Sequence, residues 1–434
     1  YRLGHLGFQH IRFLARSGRL PVKNPKLLAN CDKVMCAACQ FGKASRRPTK
    51  TGTHRKDPHK EMELKKNDLF PGQRVSVDHF QSALPGRLYT SRGGTDAKDK
   101  FHGGCIFVDH ASGYIQVRHQ VSLSAEDTLK AKLMYERDAA NAGVKIKAYH
   151  TDNGVFASKD FMSQLLEDNQ QMHLGGPGTA HQNGVAERGI QTVVKMARTM
   201  LIHAAMRSPQ GTITAELWPV AIDHAVWIYN RIPRMDSGLT PVELYGRSSF
   251  LPVQEILSTC HTWGCPTYVL EPKLQKGGSK IPKWSPRSRR GVFMGFSRLH
   301  STLVGLILNL NTHSISPQFH VVCDDMFTSV VSNQEEVVPK IWTSLLMTPA
   351  ARLQVKLDQD ADVELSDEWL TPEESLKREQ ARRQAIESQA RQRGPHPQTE
   401  SHPPLSVPEG ASPPVAVPSD QGPTIPISEE PVAD

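Results

Sequence analysis

Three acidic residues stand where carboxylates could gather around a divalent cation. Asp78 lies mid-run in Arg74-Val75-Ser76-Val77-Asp78-His79-Phe80. Asp152 follows in His150-Thr151-Asp152-Asn153-Gly154, and Glu187 in His181-Gln182-Asn183-Gly184-Val185-Ala186-Glu187-Arg188. Three carboxylates brought together cannot all ionise without a counter-charge, because a buried charge is costly unless paired. Mg²⁺, or Mn²⁺, supplies that charge. Two such ions about 3.5–4 Å apart activate an attacking oxygen and stabilise a leaving one in phosphodiester chemistry. Each acid taken alone has a plainer reading: a strand-end Asp, an Asp-Asn-Gly turn, and a first-turn Glu favoured by the helix dipole. Asp152 and Glu187 lie 35 positions apart, and it is the set of three that points to chemistry.

The elements that must position these acids are legible in the pattern. Residues 74–80 alternate with period two, as a half-buried strand does. A Gly/Ser/Lys-rich stretch at 85–104 reads as a long hairpin loop. Cys105–Asp109 and Tyr114–Arg118 read as strands joined by Ala111-Ser112-Gly113. Ser124 caps a helix from Ala125 to about Asn141, with Glu126 and Asp127 in its first turn. Gly143 ends it, and 145–150 is the fourth strand. A helix at 159–169, a short run at 171–174, a glycine-rich loop at 175–178 and a long helix over about 183–205 follow. This order predicts a mixed α/β domain over 70–207, and it resembles the order found in RNase H-like nucleotidyl-transfer folds. Adjacent first and fourth strands would bring Asp78 and Asp152 to one sheet edge, and a helix packed alongside would add Glu187.

Charge and composition say what such a domain meets. The 434 residues carry 52 Lys+Arg and 44 Asp+Glu, a net +8. That small figure hides an asymmetry: residues 1–332 carry +17 and the remainder −9. A basic body with an acidic tail points to nucleic acid as partner. No run of about 18 apolar residues is present, which excludes a spanning helix. Hydrophobic content of 38% is low for a fully globular chain, and eleven prolines crowd positions 395–431; the acidic 333–434 stretch is therefore expected to be a disordered linker. Three of the seven cysteines fall within nine residues (Cys31, Cys36, Cys39). This favours a reducing compartment with one metal site over a disulfide framework.

The wording around the acids resembles the DDE integrase core of retroviral and retrotransposon polyproteins. Asn183-Gly184-Val185-Ala186-Glu187-Arg188 is specifically similar to copia-type LTR retrotransposons, although the Asp152–Glu187 spacing is one residue shorter than the usual retroviral one. The resemblance spans about residues 1–330. It implies that Asp78, Asp152 and Glu187 are catalytic and bind Mg²⁺ or Mn²⁺. It also implies 3′-end processing and strand transfer that insert element cDNA into target DNA. On the same grounds Asp109 is structural. Cys36-Ala37-Ala38-Cys39-Gln40-Phe41-Gly42-Lys43 resembles half of the His-His-Cys-Cys zinc module that precedes such cores, within residues 1–60. The family phrase ending Arg-Leu-Gly-His falls on Arg2-Leu3-Gly4-His5, so the first His is expected just before Tyr1. His5, Cys36 and Cys39 are the expected Zn²⁺ ligands, with His10 as an alternative for the fourth place.

Nucleic acid is expected at Lys43, Arg46, Arg47, Asn183, Arg188 and Lys195, the lysine two turns from Glu187. Residues 212–330 read as a helical segment and a small β-barrel-like domain, with Lys280, Lys283, Arg287, Arg289 and Arg290 on its loops. Asp324 and Asp325 read as a strand end. The resemblance further implies a homo-multimer, protease and reverse transcriptase segments outside this chain, and passage from a cytoplasmic particle to the nucleus. Two alternatives remain: an RNase H-like nuclease on RNA–DNA hybrids, and an inactive DNA-binding remnant.

Overall fold

The computed structural model describes residues 1–20, 24–29, 34–44, 68–88, 100–152, 154–175, 183–246, 257–275, 285–300, 303–330, 347–349 and 380. The chain divides into two units, residues 1–356 and 357–434, and the elements below belong to the first. Three short helices open it: α1 (Phe8–Arg16), α2 (Pro25–Ala29) and α3 (Ala37–Lys43). The core follows as β1 (Val75–Gly86), β2 (Phe101–Asp109), β3 (Ile115–Gln120), α4 (Ala125–Asn141), β4 (Ala148–Thr151), α5 (Lys159–Glu167), β5 (Gln171–Leu174) and α6 (Gly184–Arg207). The sheet runs β3-β2-β1-β4-β5. β1 is antiparallel to β2, and β4 is parallel to both β1 and β5.

Sequence cues match these elements closely. The Ser124 hydroxyl accepts from the Asp127 amide at the head of α4, as an N-cap should. Asp109 is fully buried and accepts from Gly72 N, Ser112 N and Ser112 Oγ at 2.8, 2.8 and 2.6 Å. It builds the turn between β2 and β3, which agrees with a structural part for this acid. The expected hairpin loop at 85–104 is shorter, since β1 reaches Gly86 and β2 begins at Phe101. The indole of Trp218 holds that extension by donating to the Leu84 carbonyl at 2.9 Å.

After α6 come α7 (Trp218–Arg231) and α8 (Pro241–Gly246), then β6 (Pro266–Leu270), β7 (Ser288–Phe296), β8 (Gly305–Asn309), β9 (Ile315–Gln318) and β10 (Val321–Cys323). The small β-rich region takes the form of an antiparallel sheet in the order β10-β6-β7-β8-β9. Its inner face shares one hydrophobic core with α6 and α7, through Trp263, Val292 and Phe293 among others. Arg289 and Arg290 lie on β7 and not on a loop, paired with Val269 and Tyr268. Lys280 and Lys283 fall outside the described residues. Asp324 accepts from Ser329 N and Oγ at 2.6 and 2.7 Å and caps the turn after β10, while Asp325 accepts from Thr262 N at 2.6 Å and ties that strand end to the segment before β6.

Within residues 333–434 the structure describes only 347–349 and 380. β11 (Met347–Pro349) pairs antiparallel with Phe80–Ser82 of β1. β4 pairs with β1 only at Val75 and Ser76, so the backbone groups beyond it are open to a further strand. No helix among the described residues is long and apolar enough to cross a membrane.

The buried amide of Asn230 on α7 joins helix to sheet. Its Oδ1 accepts from Ile115 N at 3.0 Å and its Nδ2 donates to Ile115 O at 2.7 Å. Asn230→Leu leaves both strand groups unpaired, each costing about 1–3 kcal/mol. Urea unfolding should show a loss of about 2–5 kcal/mol with an unchanged m-value.

Candidate active site

Parallel pairing sets the first two acids side by side. Ser76 of β1 is in register with His150 of β4, so two residues further on Asp78 and Asp152 reach the same level at the carboxyl end of β4. Glu187 enters from the first turn of α6. Asn183 fixes that helix start: its Nδ2 donates to the Val77 carbonyl at 2.9 Å, next to Asp78. Asn183 is only 2% exposed, which corrects its expected place at nucleic acid. It fastens the Glu187 helix to the Asp78 strand, and its sequence signal, an Asn ahead of a helix, reads equally well as an ordinary cap.

The three acids share one electrostatic environment. Burial, then the charge of Asp152, then that of Glu187 push the Asp78 carboxyl up to about 7, against a bond from the His79 amide that favours ionisation. Asp152 is raised as well, chiefly by burial and also by Glu187, although the Thr151 hydroxyl opposes this. Among the described residues, no cationic side chain contributes to either shift. The donor type, three carboxylates, suits Mg²⁺ or Mn²⁺, but among the described residues their oxygens do not all lie within 4.8 Å of one another as the ligand atoms of His5, Cys36 and Cys39 do. Beneath Asp78, His79 is buried, stacked on Phe156 at 4.4 Å between centroids and bonded through Nε2 to Thr128 Oγ1 at 2.9 Å. Sequence reading missed this support, because stacking partners so far apart in the chain leave no local pattern.

The other basic candidates are placed differently. Arg188 is exposed and lines a cavity with His110, Tyr229 and Arg234 beside the β2–β3 turn. Lys195 is half-buried on α6. Lys43 donates to the His5 carbonyl, and burial lowers its ammonium pKa while the Cys39 and Cys36 sulfurs raise it. It is thus drawn into the amino-terminal cluster and away from the surface role expected for it. Arg46 and Arg47 fall outside the described residues, as does Cys31.

That cluster is His5, Cys36 and Cys39, whose ligand atoms all lie within 4.8 Å of one another. His5 Nδ1 sits 3.6 Å from Cys36 Sγ and 3.5 Å from Cys39 Sγ. A tetrahedral Zn²⁺ with ordinary Zn–N and Zn–S bonds would separate such atoms by roughly 3.6 Å, so the geometry fits zinc. His10 is elsewhere: its Nε2 lies 2.6 Å from the Pro233 carbonyl, which removes it as the fourth ligand here. The module rests on the far half of α6. A side chain at Gly42 would place its Cβ 2.8 Å from the Thr199 Cα, and the His5 ring meets that of buried His203 edge-on at 4.7 Å.

No family model matches the chain. It is 26% identical over 332 residues to the retrovirus-related Pol polyprotein from transposon RE2 of Arabidopsis thaliana, covering 75% of this chain. To that from transposon TNT 1-94 of Nicotiana tabacum it is 23% identical over 301 residues, covering 68%. The chain spans about a fifth of the length of these polyproteins, 19% in each case. Among solved structures, the HTLV-2 integrase catalytic core domain in complex with magnesium is 20% identical at a TM-score of 0.29, covering 41% of this chain and 98% of that one. A simian T-cell lymphotropic virus intasome in complex with a PP2A regulatory subunit is 17% identical at a TM-score of 0.31, covering 59% and 79%.

Proposed function

We propose that this chain, a relative of copia-type Pol polyproteins of transposons, is the integrase region of such a polyprotein, a polynucleotidyl transferase that inserts element cDNA into target DNA. The observation that carries the proposal is the electrostatic coupling of Asp78 to Asp152 and Glu187, which no cation among the described residues offsets. When bound there, Mg²⁺ or Mn²⁺ supplies the charge that favours deprotonation of an attacking oxygen and stabilises the leaving one. The chain's own part is to hold ligands rigidly. Asp78 and Asp152 stand on hydrogen-bonded neighbouring strands, and the Asn183–Val77 bond sets the helix that presents Glu187. In-line displacement at phosphorus needs no covalent enzyme intermediate, so no nucleophilic side chain is required. The nucleophile is water in 3′-end processing and the new 3′-hydroxyl in strand transfer. A zinc-loaded His5, Cys36 and Cys39 would act structurally. Homo-multimers, element ends and target DNA as partners, and action in the nucleus belong to the same proposal.

Strand transfer with the element's terminal sequence, assayed with Mg²⁺ and Mn²⁺, tests it. Asp152→Asn and Glu187→Gln should each lower the rate on the order of 10³-fold or more, the scale of losing one transition-state stabiliser. DNA binding without metal should be retained. Cleavage of RNA–DNA hybrids without strand transfer would instead support the nuclease reading, and activity surviving either substitution would sink the assignment.

A further inference from the structure

A second, oppositely charged site lies at the other end of the same strands. Arg74 immediately precedes β1, Lys145 and Lys147 lead into β4, and His173 lies on β5. These four side chains line one cavity of about 630 Å³ with Gln73 and Asn169. No carboxylate is among the described residues that line it. Arg74, Lys145 and Lys147 form no ion pair with a described residue, and the Arg74 Nε is buried without a hydrogen-bond partner. Three uncompensated cations facing one hollow repel each other, and an anion there relieves that repulsion. Lys145 and Lys147 are exposed on either side of buried Ile146, so they present to the same side about 6–7 Å apart, as alternate residues of an extended segment do. A row of cations at that interval suits successive phosphates better than a single small anion.

We propose that this cavity is a phosphate-binding site for the backbone of a nucleic-acid strand held away from the carboxylates. Arg74 precedes Asp78 by four residues of strand, roughly 13 Å, so phosphates held here lie about two nucleotide steps or more from the one being cut. The site rests on the reading that nucleic acid is the substrate. Its contacts carry no base information, and contribute affinity and orientation only.

The test is fluorescence anisotropy of a labelled 30-base-pair duplex with the full zinc-loaded chain in EDTA-free, Mg²⁺-free buffer, over a salt series. The Lys145→Gln/Lys147→Gln variant is compared with wild type and with Lys145→Arg/Lys147→Arg. The glutamine variant should bind at least about tenfold more weakly at low salt, and its slope of log K against log salt should be shallower by about 2, near 0.9 for each phosphate that is no longer neutralised. The arginine variant should restore both. A parallel competition uses inorganic tripolyphosphate. If tripolyphosphate binding is lost in the glutamine variant while duplex affinity and slope are unchanged, the cavity takes free polyphosphate only and the inference is overturned. Unchanged slope with both ligands overturns it too, and leaves the integrase reading intact. A wild-type chain that binds no duplex would overturn both together.

Discussion

Asp78→Asn should make the metal-free protein more stable at pH 8 while removing its strand-transfer activity. The sign follows from the shift. In the folded state the Asp78 carboxyl titrates near 7, against an ordinary value of 3.8. A carboxyl raised on folding contributes its full stability below the unfolded value and loses it as pH rises through the folded one. At pH 8 the difference corresponds to about 4 kcal/mol against the wild type. Asn carries no such charge, so the variant should melt higher at pH 8, on the order of 5–10 °C, and no higher at pH 4. Added Mg²⁺ should reverse the order by stabilising only the wild type. Thermal melts at both pH values, with and without Mg²⁺, check this. A variant that melts lower than wild type at pH 8 without metal would show that Asp78 ionises freely and that the carboxylates are not crowded.

Loss of zinc should be the second large effect, and it should reach beyond the module itself. Cys39→Ser removes one ligand of the His5, Cys36 and Cys39 set, and should weaken zinc by more than the roughly 10–100-fold that supporting residues control. Without the ion, the module keeps a thiol that burial pushes up to about 11 and a histidine that burial and nearby cations push down to about 2. Neither group binds charge productively in that state. α1, α2 and α3 are short, and helices of this length depend on packing for their stability. They should then lose hydrogen-exchange protection. Because α3 packs closely on Thr199, protection in the second half of α6 should fall with them. Cobalt substitution gives an independent readout, since thiolate-to-cobalt absorption should be present in wild type and lost in Cys39→Ser. Full protection of α3 in zinc-stripped wild type would show that the module folds without the ion.

The core is legible because its signals are local. A period-two run marks β1, short β-branched and apolar runs about Ala111-Ser112-Gly113 mark β2 and β3, Ser124 marks the start of α4, and the three acids fall on the elements expected for them. Their convergence requires only that β1 and β4 be neighbours, which the element order implies. What stays hidden depends on distant contacts. Nothing near Asn183 shows that its amide reaches Val77, and nothing near Lys43 shows that His5 lies against it. By pattern alone the sheet of β6 to β10 reads as an independent small domain, whereas its apolar face completes the core begun by α6 and α7. His10 has the right spacing for a ligand, but spacing says nothing of direction, and its ring turns to Pro233. The cations at 74, 145 and 147 are scattered in sequence and become one site only when β1 and β4 are laid side by side.

β11 has a practical consequence for anyone cutting the chain. The rung it forms on Phe80–Ser82 is supplied from residues that composition alone would assign to dispensable tail. A fragment ending near residue 330 would bare three residues of main chain two positions from a metal-type carboxylate. Such a bared edge recruits other strands, so the shortened protein is prone to self-association, and poor solubility of a minimal core would reflect the choice of terminus and not a defect of the fold.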